Sequence, residues 1–113
     1  MQLELDRRPE ELVARLIGEL DHHGAGTVRE SIDQALMQQR YPLLVLDLSG
    51  LSFMDSSGIG LIMGRYRLAR SLGCTLRVRG ASPRLEAVIR LAGMEQLPIW
   101  DEKERMDDHE TSQ

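Results

Sequence analysis

The run YPLLVLDLSG, residues 41–50, constrains the fold more than any other stretch of the chain. Leu43 to Leu48 is short and densely apolar, entered through Pro42 and left through Ser49 and Gly50, the pattern of a strand covered on both faces. Such a strand belongs at the centre of a sheet, and the flanking segments must supply helices to cover it. Thr27–Gln39 fits that role, with Val28, Ile32, Ala35 and Leu36 on one helical face. Gly58–Leu72 reads as the next helix, closed by Gly73 where a left-handed cap is usual. Its apolar residues fall on two faces, Ile59, Ile62, Met63, Tyr66 and Ala69 on one, Leu61, Leu68 and Leu72 on the other, and one of these must serve the core. Cys74–Arg79 alternates as a strand, Pro83–Leu91 follows Ser82 as a third helix with proline in its first turn, and Leu97–Trp100 reads as a short last strand. The class is α/β.

The start of the chain supports two readings. PEELVARLIGEL, residues 9–20, places apolar side chains at 12, 13, 16, 17 and 20, a helical spacing. The same segment puts Leu12, Ala14, Leu16, Gly18 and Leu20 on one side of a strand. Local pattern favours the helix.

A chain of 113 residues is most simply one domain, and with few aromatics its core must come from Leu, Ile, Val and Met. The net charge of -4 gives no basic footprint for nucleic acid. Cys74, the single cysteine, rules out an intrachain disulfide and suits a reducing compartment. MQLELDRRPE lacks the apolar segment of a signal peptide, and no apolar run approaches the roughly 18 residues of a membrane span. The expectation is a soluble cytoplasmic protein, with DEKERMDDHETSQ, residues 101–113, as a solvated acidic tail.

Chemistry concentrates in LSFMDSSGIGLIMGRY, residues 51–66, where an apolar run breaks on Asp55, Ser56, Ser57 and Gly58. The plainest role for a serine here is to cap the following helix by accepting a bond from a free backbone N–H. Ser57, directly before Gly58, is the expected cap, with Ser56 one residue earlier in the loop. Gly58, Gly60 and Gly64 after a strand, with Arg77 and Arg79 on the next one, imitate a dinucleotide site. The spacing is GxGxxxG, however, and Asp55 would repel a pyrophosphate. A Walker loop fails for want of Lys followed by Ser or Thr. A serine nucleophile with His22, His23 or His109 as base lacks the GxSxG elbow. Asp21, His22 and His23 do not form a metal site by pattern, since adjacent histidines diverge and no HxxxH pair supports them. No cofactor is expected. Gly60 and Gly64, four apart, would let their helix approach the sheet or a partner closely.

GELDHH at 18–23, LSFMDSSGIG at 51–60, GRY at 64–66, ASP at 81–83 and AG at 92–93 together resemble the anti-sigma factor antagonists of the STAS domain family, in matching order from Leu3 to about Ile99. The resemblance implies a mixed sheet of four or five strands flanked by helices. It makes Glu11 to Leu16 a strand, residues 1–100 a single STAS domain, and 101–113 a tail. It further implies a binding module and not an enzyme. Such a module captures an anti-sigma factor, releases its sigma factor for transcription, and takes part in sporulation control. The anti-sigma factor is itself an ATP-dependent serine kinase whose target is the serine after the aspartate, here Ser56, and a metal-dependent (PP2C-type) serine phosphatase reverses the modification. Asp21 matches the aspartate that contributes to recognition, and Asp55, Ser56, Ser57, Gly58, Ile59 and Gly60 form the rest of the expected partner surface. A constitutive STAS scaffold that is never phosphorylated is the alternative. One departure from the family stands out: Gly24, Ala25, Gly26 and Thr27 replace the usual TAET, and two glycines costing roughly 1 kcal/mol each in a helix predict a late helix start.

Overall fold

A computed structural model describes residues 1–101, so all but the first residue of the acidic tail, and His109, lie outside the described residues. The elements are β1 (Gln2–Arg7), β2 (Glu11–Leu20), α1 (His22–Gln38), β3 (Leu43–Met54), α2 (Ser56–Ser71), β4 (Thr75–Arg79) and α3 (Pro83–Ile89). The four strands form one sheet in the order β1-β2-β3-β4, in which β1 runs antiparallel to β2 while β2, β3 and β4 are parallel. Residues 11–20 are thus a strand, which includes the Glu11 to Leu16 strand the resemblance implies and runs against the local helical spacing. Their period-2 set, Leu12, Ala14, Leu16 and Leu20, is buried to within 1 % and pairs sideways with β3, a gain no isolated helix could match.

One core cluster unites Leu12, Ala14 and Leu16 of β2, Leu44, Leu46 and Leu48 of β3, and Leu76 and Val78 of β4 with buried residues of all three helices. All described helices therefore pack on one face of the sheet, while β3 is an inner strand whose Leu44, Val45, Leu46 and Leu48 are all buried, as expected of a central strand covered on both faces. The opposite face carries an alternating row of charge. Glu4, Arg15, Asp47 and Arg79 are successive cross-strand neighbours, and Arg15 bridges Glu4 at 3.3 Å and Asp47 at 3.2 Å. Val13 and Val45, paired side by side one row along, are buried on that face outside the core cluster. Arg15 and Arg77 flank them with long apolar stems, the kind of side chain that shields such a spot while keeping its charge wet.

Helix α1 begins at His22 and not at Thr27. The Asp21 carboxylate caps it, accepting from the Gly24 N–H at 2.9 Å, and this capping outweighs the glycine penalty. Gly24 has a further use, because a Cβ there would stand 3.0 Å from Met1 Cγ. In α2 the buried stripe is Gly58, Leu61, Ile62, Arg65 and Ala69, running between the two expected apolar faces, with Leu72 left 38 % exposed. Buried Arg65 meets Asp33 of α1 at 2.9 Å, joining the two helices. Gly73 has the expected positive φ of 72°. Ser82 caps α3, accepting from the Leu85 N–H at 3.2 Å, and α3 continues into a π-helical turn, Arg90–Met94. The expected last strand shrinks to one parallel bridge, Val78 with Trp100.

Candidate functional site

Parallel neighbours β2 and β3 end at the same pole of the sheet, and each hands the chain directly to a helix. Their last paired residues are Leu20 and Met54, so Asp21 and Asp55 occupy equivalent positions in adjacent connections. The Asp55 N–H donates to the Leu20 carbonyl at 3.1 Å, which holds the two connections together. Each aspartate is extended and each caps its helix: Asp21 Oδ1 serves Gly24, and Asp55 Oδ1 accepts from the Ser57 N–H at 2.8 Å. The bond from Gly24 holds the Asp21 carboxyl below the ordinary carboxylate range, outweighing burial, with a smaller contribution from His23, so Asp21 is anionic at neutral pH.

Two expectations are corrected here. The cap of α2 is Asp55 and not Ser57, because the Asp55 side chain, two residues before that N–H, reaches it directly, whereas Ser57 is already within the helix. Ser56 is accordingly the first residue of α2 and not a loop residue. The sequence signal was available: Asp ranks with Ser as an N-cap, and aspartate stands before both helices. Ser56 is exposed while Ser57 is half-buried, its hydroxyl oxygen 3.4 Å from His22 Nδ1 at the start of α1. This serine–histidine contact is long. Among the described residues, no carboxylate is hydrogen-bonded to His22 to orient it, so the pair lacks the third member of a nucleophilic triad.

The remaining expected residues also lie at this pole. Gly58 is buried, and a Cβ on it would run into Met54, with the sulfur at 2.6 Å, and approach Leu20 Cδ2 at 3.1 Å. Gly58 therefore lets the first turn of α2 settle onto the ends of both strands. Ile59 is half-buried against the core, whereas Gly60 is exposed. Nothing lies within 4 Å of a Cβ at Gly60 or Gly64, so neither glycine serves an approach to the sheet. Ser56, Gly60 and Arg67 share the outward line of α2, opposite its buried stripe.

Among the described residues, no helix is long and apolar enough to cross a membrane. The pole offers an anionic, hydroxyl-bearing surface, and among the described residues no side chain is hydrogen-bonded to the exposed Ser56 hydroxyl as a general base. It can present a serine to another macromolecule's active site, because a helix start on a sheet end holds a short side chain outward in fixed geometry.

Known proteins share this layout. The anti-sigma F factor antagonist of Paenibacillus polymyxa is 37% identical over 89% of this chain and 87% of its own length. The anti-sigma factor antagonist SpoIIAA in its unphosphorylated form superposes with a TM-score of 0.77 at 30% identity, covering 99% of this chain and 98% of that one. The phosphorylated form of SpoIIAA from Bacillus superposes with a TM-score of 0.72 at 32% identity, covering 95% and 98%. Residues 2–109 match the STAS domain, and with the sheet order and the paired helix starts already described, this chain belongs to the STAS domain family.

Proposed function

We propose that this protein is an anti-sigma factor antagonist of the sporulation type: unphosphorylated, it captures an anti-sigma factor and so frees a sigma factor for transcription. The observation that carries the reading is the placement of Ser56, exposed as the first residue of α2 directly after the Asp55 cap, on a fold shared with the unphosphorylated and phosphorylated forms of SpoIIAA. Ser56 is the substrate of the partner's kinase activity, and a PP2C-type serine phosphatase removes the phosphate. The protein acts in the cytoplasm as a binding module with no catalytic role of its own. Residues 1–100 form the binding domain and 101–113 an appended acidic tail.

The switch is electrostatic and local. Phosphorylation adds about 1.5 to 2 negative charges and three acceptor oxygens to a surface that already holds Asp55 beside Ser56 and Asp21 on the neighbouring connection. A partner surface that complements two carboxylates meets an excess of negative charge and added bulk after modification. Asp21, Asp55, Ser57, Gly58, Ile59 and Gly60 make up the contact surface around Ser56.

The test is mass spectrometry after incubation with the cognate anti-sigma kinase and ATP, paired with calorimetry of the complex. One phosphate on Ser56 and loss of binding on its addition support the reading. Tight binding with no modification at any ratio of kinase would leave the constitutive scaffold in its place.

A further inference from the structure

Val13 and Val45, cross-strand partners on the face of the sheet away from the helices, are 3% and 0% exposed, yet no described helix lies on that face. Asp6 and Arg77 stand at the two ends of their row. Arg15 and Arg77 border the pair, but their charged heads are drawn off it. Arg15 reaches Glu4 and Asp47, and Arg77 turns over the outer edge of β4, where it donates to the Pro98 carbonyl at 2.6 Å and the Leu76 carbonyl at 3.3 Å. Flanking stems close the sides of such a spot, whereas a valine without exposed surface needs atoms above it as well.

The described residues end on this same face. Trp100 bridges to Val78 and is buried in the core, so by alternation Asp101 falls on the opposite side, where its carboxylate meets Arg79 Nε at 3.2 Å. Residues 102–113, EKERMDDHETSQ, continue from that point, and Met106 is their one apolar side chain. We infer that this segment folds back across the open face as a strap, with Met106 seated over Val13 and Val45 and an early glutamate, Glu102 or Glu104, paired with Arg77. Reach allows it: Val45 lies about two strand spacings across and two residues back from Asp101, on the order of 12 Å, and the five residues from Asp101 to Met106 span at most about 17 Å. Charge favours it, because the segment carries five carboxylates against two cations, while Arg77 bonds only carbonyl oxygens among the described residues. The STAS match also runs to residue 109, past the last described residue. Val13 and Val45 lie near the starts of β2 and β3, at the other end of the sheet from Ser56, so the strap leaves the serine pole uncovered and stands apart from the functional reading.

Methyl NOE spectroscopy of the full chain, labelled at methionine and valine methyls, tests this. The expected result is cross-peaks from the Met106 ε-methyl to the methyls of Val13 and Val45, and none to Val28 or Val78, which face the helices. Thermal unfolding supplies a second measurement. Met106→Asp should lower the midpoint by at least about 4 °C, whereas Met37→Asp, at a methionine 65% exposed on α1, should leave it near wild type. A Met106 methyl with no cross-peak to either valine overturns the strap, whatever the melting data show. Equal midpoints for Met106→Asp and wild type also overturn it. Cross-peaks that appear only between differently labelled chains in a mixed sample would assign the cover to a second copy and defeat the intramolecular strap.

Discussion

The Asp55 N–H donates to the Leu20 carbonyl at 3.1 Å, while the Asp55 carboxylate accepts from the Ser57 N–H at 2.8 Å. One residue therefore ties the ends of two parallel strands together and starts the helix that bears the serines. Position and presentation of Ser56 are consequences of Asp55.

Removing the carboxylate should therefore cost more than removing either hydroxyl. Asp55→Ala is expected to lower stability by about 1 kcal/mol, within the usual 0.5–2 kcal/mol of a lost cap. Ser57→Ala, whose hydroxyl makes only the long contact to His22, should cost less than about 0.5 kcal/mol. Urea denaturation of both variants measures the ranking. A larger loss in Ser57→Ala would return the capping role to the serine.

Phosphate on Ser56 should leave the fold intact. The first residue of a helix sits where free N–H groups and the helix dipole favour negative charge, typically by about 0.3–1 kcal/mol at exposed sites. Phosphorylated protein and Ser56→Asp should both unfold at or slightly above the wild-type temperature, while Ser56→Asp loses most affinity for the anti-sigma factor and Ser56→Ala retains it. Circular dichroism and calorimetry together check this. A phosphorylated form that melts well below wild type would make the switch conformational and not electrostatic.

The parts of this fold that were legible in sequence are those fixed by local chemistry. Val28, Ile32, Ala35 and Leu36 show their shared face by spacing, Gly73 its cap by residue type, and Ser82 with Pro83 the start of α3. What failed was decided by contacts distant in sequence. Residues 11–20 have a helical period and become a strand because β1 and β3 claim both edges. Gln2–Arg7, read only for its lack of an apolar leader, is an edge strand because it pairs along β2 from Ile17 back to Leu12. Two capping aspartates moved the helix starts, and only the first overcame an unfavourable glycine pair. At the candidate site, the motif located the serine, but its standing as the first helical residue depended on the Asp55 side chain and could be weighed only against a real backbone.

The glycines divide by what surrounds them. Gly26 has nothing within 4 Å of a Cβ and lies inside α1, so Gly26→Ala should raise stability by about 0.5–1 kcal/mol. Gly58→Ala should lower it by about 1 kcal/mol or more, since the new methyl meets Met54 and Leu20 and the overpacking outweighs any gain in helix propensity. Gly60→Ala separates stability from function. Open space around it predicts a gain like that of Gly26→Ala, whereas a partner lying close along the outward line of α2 predicts weaker anti-sigma binding. Denaturation midpoints beside calorimetric affinities read both effects, and unchanged affinity in Gly60→Ala would remove that residue from the interface.

Asp47 should shape the response to acid. Burial alone would raise its pKa, but bonds from the Ser49 N–H at 3.0 Å and the Ser49 hydroxyl at 2.7 Å, with Arg15 at 3.2 Å, outweigh it and hold the carboxyl below the ordinary range. A carboxyl whose folded pKa lies below its unfolded value near 3.9 contributes stability that is fully present above that value and is lost as pH falls through the folded pKa. Wild type should therefore lose stability below about pH 4, and Asp47→Asn should start less stable at neutral pH but show a shallower decline in acid. Ser49→Ala, which removes the shortest of the three bonds, should bring the folded pKa closer to the unfolded one, so that the decline still begins near the unfolded value but is smaller and ends at higher pH. Urea midpoints from about pH 7 to about pH 3 distinguish the three proteins. Parallel acid profiles for wild type and Asp47→Asn would show that the charged row on the face away from the helices contributes nothing to folding through this carboxylate.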